Sequence, residues 1–164
     1  MKIIVLFGKI GSGKTYIGKL LEKYFHFYFY EGDLDLTPEM KNSLKKNQPV
    51  TDSMRNKFFD ILIINLNMII KNHKNIVVSQ TFIKEKYRKM FLRKFPKSEF
   101  VYIKSDDKKR REKVARRSDY NFKKSYVLKM DKNFEEPKIP VKIITNDFNG
   151  RSDIKHQLEK VLAY

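Results

Sequence analysis

The stretch Gly8-Lys9-Ile10-Gly11-Ser12-Gly13-Lys14-Thr15 fits the pattern G-x-x-x-x-G-K-[ST] without deviation, and its setting restricts what the chain can fold into. Ile3-Ile4-Val5-Leu6-Phe7 precedes it, β-branched and continuously apolar, as in a strand buried on both faces. From Lys14 the spacing turns helical, with Ile17, Leu20, Leu21 and Tyr24 on one face. A loop that wraps a polyphosphate must aim successive backbone N–H groups inward, which requires glycines in tight, often left-handed conformations. The helix that follows points its positive N-terminus at the same phosphates. In such a loop Gly8, Gly11, Ser12 and Gly13 form the cradle for ATP. Lys14 supplies a mobile cation for the β- and γ-phosphates, and the Thr15 hydroxyl is a ligand for Mg²⁺.

The rest of the chain alternates short apolar runs with helical patterns. Strands are expected at Phe27 to Tyr30, Asn75 to Ser79, Glu99 to Ile103 and Val141 to Thr145. Helices are expected after Thr37-Pro38, from about Ser53 to Lys71, from Lys84 to Lys94, after Ser105 as cap, and after Ser152 as cap. Strands separated by helices imply parallel βαβ units. The predicted fold is a three-layer αβα sandwich around a five-stranded parallel sheet, one domain over residues 1–164. Residues 116–140, polar and Lys-rich with no convincing strand, read as a lid within it.

Composition removes several classes. There is no cysteine, hence no disulfide framework, no thiolate zinc site and no thiol catalysis. The three histidines, His26, His73 and His156, lack ligand spacing. Nothing approaches a membrane span, and the expectation is a cytoplasmic protein with no membrane partner. Lys and Arg number 36 against 19 Asp and Glu, a net charge of +17 that makes phosphorylated molecules or nucleic acid natural partners. Lys, Asn, Ile, Phe and Tyr are abundant together, so much of that excess is consistent with compositional drift on exposed helices.

Phosphate loops also serve GTPases and AAA-type ATPases, which typically carry an acid at the end of a later apolar strand. Here that strand ends Val77-Val78-Ser79-Gln80, and the acids follow the second strand instead, as Gly32-Asp33-Leu34-Asp35. A small kinase that phosphorylates a bound hydroxyl fits this pattern better.

From Gly8 onward the chain resembles the bacterial gluconate kinase family, a group related to shikimate and nucleoside-monophosphate kinases. The resemblance rests on Glu31-Gly32-Asp33, Thr37-Pro38-Glu39, Gln48 to Arg55, Thr81 to Arg88, Arg117 with Asn121-Phe122, and Glu136-Pro137, in the family's order and spacing apart from one extra residue between Arg117 and Asn121. It implies an ATP- and Mg²⁺-dependent phosphotransferase of carbohydrate metabolism, a monomer or homodimer, acting on a small, hydroxylated, anionic acceptor. Asp33 matches the acid that orients or deprotonates the attacking hydroxyl and helps hold Mg²⁺. Arg55, Lys84 and Arg88 match basic residues of the acceptor pocket. Arg117 matches the lid arginine, with Arg111 and Arg116 as neighbouring alternatives, and Asn146 lies where such kinases flank adenine. The sequence departs from the family at Leu36 and Met40, where the family has acceptor-contacting His and Asn, at Asn121 in place of the lid His, and at Met130-Asp131 in place of a Ser-Gln pair. Two other readings stay open: a nucleotide or nucleic-acid 5′-hydroxyl kinase, and a non-catalytic ATP-binding regulatory protein.

Overall fold

The computed structural model describes residues 1–118 and 120–163. Asp119, inside the expected lid, and Tyr164 lie outside the described residues. Five strands, β1 (Lys2–Phe7), β2 (Tyr28–Glu31), β3 (Asn75–Ser79), β4 (Glu99–Lys104) and β5 (Lys142–Thr145), form one all-parallel sheet in the order β2-β3-β1-β4-β5. The register aligns Val5 with Val78 on one side and with Phe100 on the other. Successive strand residues face opposite sides of a sheet, so the unbroken apolar run of β1 serves two layers at once. Ile3, Val5 and Phe7 enter one core cluster, and Ile4 and Leu6 enter the other.

The second of these clusters is closed by α1 (Lys14–Phe25) and α7 (Arg151–Leu162), through Ile17, Leu21, Ile154 and Leu158. The first is closed by α2 (Pro38–Lys45), α3 (Asp52–Ile69), α4 (Glu85–Lys94) and α6 (Lys124–Asn133), with α5 (Asp107–Ala115) beside the phosphate loop. On α3 the expected inward residues Phe58, Leu62 and Leu66 are buried, and Ile69 packs at the cluster's edge. This is the three-layer α/β architecture of the P-loop kinases.

Local chemistry explains the helix starts. The Thr37 and Thr51 hydroxyls each accept a backbone N–H at 3.2 Å, from Met40 and Met54, and so cap α2 and α3. Two expected caps are corrected. Helix α5 is capped by Asp106, whose carboxylate accepts the Lys109 N–H at 2.8 Å, and not by Ser105. Helix α7 begins after Gly150, so Ser152 lies inside it. Within the expected lid lies α6, which buries Tyr126 and Val127; Tyr126 joins the main core together with Phe134.

β1 has β3 and β4 on opposite sides, and the chain leaves it first towards β2 and β3, then towards β4 and β5. Such a reversal opens a crevice at the carboxyl ends of the strands, where open α/β sheets bind ligands. The phosphate loop follows β1 directly into that crevice.

Candidate active site

The loop between β1 and α1 is held from behind by α5 and by the turn after β5. Gly13 has φ of +94°, and a Cβ there would sit 2.2 Å from the Asn146 amide nitrogen. That nitrogen donates to the Ser12 carbonyl at 2.9 Å. At Gly8 a Cβ would lie 2.5 Å from the Ile103 carbonyl, so the strand-to-loop corner also requires glycine. The buried Arg110 guanidinium donates to the Ile10 carbonyl at 2.8 Å. The Lys14 ammonium folds over the front of the loop, donating to the carbonyls of Gly8 and Lys9, both at 2.9 Å. Burial lowers its pKa to about 8, against the opposing pull of Asp33, while Arg117 and Arg110 lower it further.

Carboxylates face this loop from the end of β2. The Thr15 hydroxyl donates to Glu31 Oε1 at 2.7 Å. A 3₁₀ turn over Gly32–Asp35 then presents Asp33, which accepts from the Gln80 amide at 3.1 Å. Asp33 is open to the cleft lumen, yet the protein around it makes ionisation costly and raises its pKa; Lys14 pulls the other way and Glu31 adds to the rise. Asp35 accepts a hydrogen bond from the Tyr30 hydroxyl and does not line the cleft. Among the described residues no group of three or more acidic or histidine side chains could form a metal cage. A hydroxyl and carboxylates beside a phosphate loop instead fit Mg²⁺ carried on the nucleotide, since Mg²⁺ keeps water and phosphate oxygens as most of its ligands.

A cleft of about 440 Å³ runs along the carboxyl edge of the sheet. Towards α5 and β5 it is lined by Lys113, Val114, Arg117 and Phe148, with the Lys113 ammonium 4.4 Å from the Phe148 ring centre. Gly11, Gly13, Lys14, Thr15, Glu31 and Asp33 line its middle. Towards α2 and α3 the walls are mostly apolar, among them Leu36, Met40, Phe59 and Phe82, with Arg55 as the cation. The Arg55 guanidinium donates to the Val50 carbonyl at 2.6 Å and lies 3.6 Å from Asp52.

The structure divides the residues singled out from sequence. Lys14, Thr15, Asp33, Arg55 and Arg117 line one cleft, together with Gly11 and Gly13. Gly8, Ser12 and Asn146 shape or brace the loop without lining it. Of the arginine alternatives, Arg117 lines the cleft. Arg111 instead bonds Asp131 at 2.8 Å, and Arg116 sits exposed at the end of α5.

Arg88 stands apart. It is fully buried, donates to Glu85 Oε2 at 2.6 Å and to the carbonyls of Phe82, Ile83 and Glu135, and packs its guanidinium on the rings of Phe7 and Phe134. Glu85 in turn accepts the N–H groups of Lys138 and Ile139. Arg88 thus pins residues 135–139 to α4 and does not line the cleft. Lys84 is also outside the cleft, 3.3 Å from Glu135.

Sequence reasoning gave no role to Arg110, Asp131 or Phe148, and none to Glu31 beyond its place in the family motif. Arg110 donates to both Asp107 and Asp131, at 2.7 and 2.6 Å, and so ties α5, α6 and the phosphate loop together. Its only sequence signal is a place in a run of cations.

The family described as AAA domain matches residues 4–138, most of the chain. None of the curated protein sequences matches significantly. Solved structures do. A sugar kinase from Janibacter superposes with a TM-score of 0.82 at 18% identity, covering 100% of this chain and 94% of its own. A gluconokinase from Sinorhizobium meliloti gives 0.77 at 21% identity, covering 98% and 93%. An APS kinase from Mycobacterium tuberculosis, solved with AMPPNP and APS, gives 0.71 at 16% identity, covering 98% and 95%. The fold is that of small P-loop metabolite kinases. The family name qualifies the earlier separation from AAA-type ATPases, although β3 does end in Ser79-Gln80 with no acid. By family the chain belongs to the AAA domain proteins.

Proposed function

We propose that the protein is an ATP- and Mg²⁺-dependent phosphotransferase that moves the γ-phosphoryl group of ATP to a hydroxyl of a small, anionic acceptor. The observation that carries this reading is the meeting of Lys14, Thr15, Asp33 and Arg117 around one cleft. ATP would lie with its phosphates in the loop and its base towards Phe148 and Lys113. The acceptor would occupy the side walled by α2 and α3, with its anionic group at Arg55. Mg²⁺, held through Thr15 with Glu31 and Asp33 behind it, would neutralise charge on the β- and γ-phosphate oxygens.

Asp33 takes the proton of the acceptor hydroxyl as that oxygen bonds to the γ-phosphorus and the bond to the bridging oxygen of ADP breaks. A raised pKa makes this carboxylate a stronger base than an ordinary aspartate. Lys14 and Arg117 face the charge spread over the transferring group. Residues 116–140 act as a lid that carries Arg117, anchored by α6 and by the Arg88 network. Among the described residues no helix is long and apolar enough to cross a membrane, and a cysteine-free chain suits the reducing cytoplasm.

The test is ATP consumption against a panel of sugar acids, shikimate, nucleosides and 5′-hydroxyl oligonucleotides, with and without Mg²⁺. Acceptor-dependent, Mg²⁺-dependent turnover that disappears in Lys14→Met is expected. Turnover in Lys14→Met equal to wild type would refute the mechanism.

A further inference from the structure

The acceptor side of the cleft has little left to offer a polyhydroxylated molecule. Leu36 and Met40 are buried in its wall, with Phe59 and Phe82 beside them. The polar groups present are largely committed to the protein. Gln80 gives its amide N–H to Asp33 and takes the Thr81 backbone N–H on its oxygen. The Tyr87 hydroxyl donates to Asn56 Oδ1 at 2.7 Å. A sugar acid carries a hydroxyl on almost every carbon, and each one desolvated without a partner weakens binding.

The lid side adds a second observation. Tyr120 and Phe122 stack with ring centres 5.2 Å apart and 14° between planes, and Phe122 stacks on Tyr126 at 5.5 Å. Tyr120 and Phe122 both line the cleft. This short aromatic stack ends at a cavity, where a flat ring could extend it.

Resting on the phosphotransferase reading of this cleft, we infer that the acceptor is a hydroxymethyl-bearing ring compound with one anionic group, and not a sugar acid. The ring packs between the aromatic stack and the Leu36–Met40 wall, the anion pairs with Arg55, and the single hydroxyl reaches Asp33.

The probe is 4-(hydroxymethyl)benzoate, with gluconate and benzyl alcohol as comparators, in a direct binding titration and in a phosphoryl-transfer assay. In the titration the benzoate should bind at least about tenfold more tightly than gluconate, as pocket contacts of this kind discriminate. Arg55→Gln should remove the benzoate's advantage over benzyl alcohol. Phe122→Ser, at a half-buried wall position, and the double variant Leu36→His/Met40→Asn should each weaken the benzoate and leave gluconate unchanged or improved. Melting curves accompany every variant, and Phe122→Ser carries the test if the double variant does not fold. Tighter binding of gluconate, or no binding of the benzoate at millimolar concentration, overturns the inference. Binding of the benzoate without phosphoryl transfer to any acceptor upholds the pocket assignment and refutes the phosphotransferase reading instead.

Discussion

The Thr15 hydroxyl donates to Glu31 Oε1 at 2.7 Å, joining the first turn of α1 to the last residue of β2. This bond fixes which way the hydroxyl oxygen's lone pairs point, so Glu31 orients the group proposed to touch Mg²⁺. Outer partners of metal ligands typically change metal affinity about 10–100-fold when removed. Glu31→Gln is therefore expected to raise the Mg²⁺ concentration for half-maximal activity by about tenfold, with a smaller change in the maximal rate. A Mg²⁺ titration indistinguishable from wild type would remove Glu31 from the site.

The two key titrating groups set a pH window. Asp33 must be ionised to accept a proton, and burial raises its pKa, so activity falls on the acid side above the ordinary aspartate value. Lys14 must be protonated, and burial lowers its pKa to about 8, so activity falls again above that point. The profile of kcat/KM for ATP reports groups of the free enzyme and should be a bell with its alkaline limb near 8. A flat profile extending well past that limb would contradict the proposed role of the lysine.

Arg55 and Arg88 should respond oppositely to removal. Arg88→Ala leaves the buried Glu85 carboxylate and the Phe82 and Glu135 carbonyls without their donor, a loss of about 3–5 kcal/mol. For a chain of this size that lowers Tm by about 6–20 °C. The acceptor KM of the fraction still folded should barely change. Arg55→Ala should do the reverse, raising KM with little effect on Tm. Thermal melts and steady-state kinetics on both variants decide the assignment.

Helix α6 has its own lock. Asp131 accepts from both Arg110 and Arg111, at 2.6 and 2.8 Å. Asp131→Asn should weaken this clamp, and amide exchange over 124–133 should speed up relative to β1 and β3. Unchanged protection there would mean that packing of Tyr126 and Phe134 alone holds the helix.

Which features were readable in sequence follows from how local they are. β1, β3 and β4 are continuous apolar runs because both sheet faces are covered, and the phosphate loop is a single stretch whose glycines meet its own backbone needs. Helix α6 was hidden because lysines dilute the apolar set Tyr126, Val127, Met130 and Phe134. The α5 cap was misplaced by one residue because Ser105 and Asp106 are both good caps, and tertiary contacts choose between them. The cations were the least legible part. Arg55 and Arg88 look alike in sequence, and what separates them is Glu135 and the rings of Phe7 and Phe134, brought in by folding from distant parts of the chain. Asn146 shows the same limit, since its bond to the Ser12 carbonyl spans 134 positions.

The most direct measurement follows the labelled γ-phosphoryl group of ATP to its destination. A phosphotransferase puts the label into a phosphomonoester only when a hydroxyl acceptor is present, and Asp33→Asn and Lys14→Met abolish that product. Label released solely as inorganic phosphate, at a rate indifferent to every acceptor and unchanged in Asp33→Asn, would contradict it.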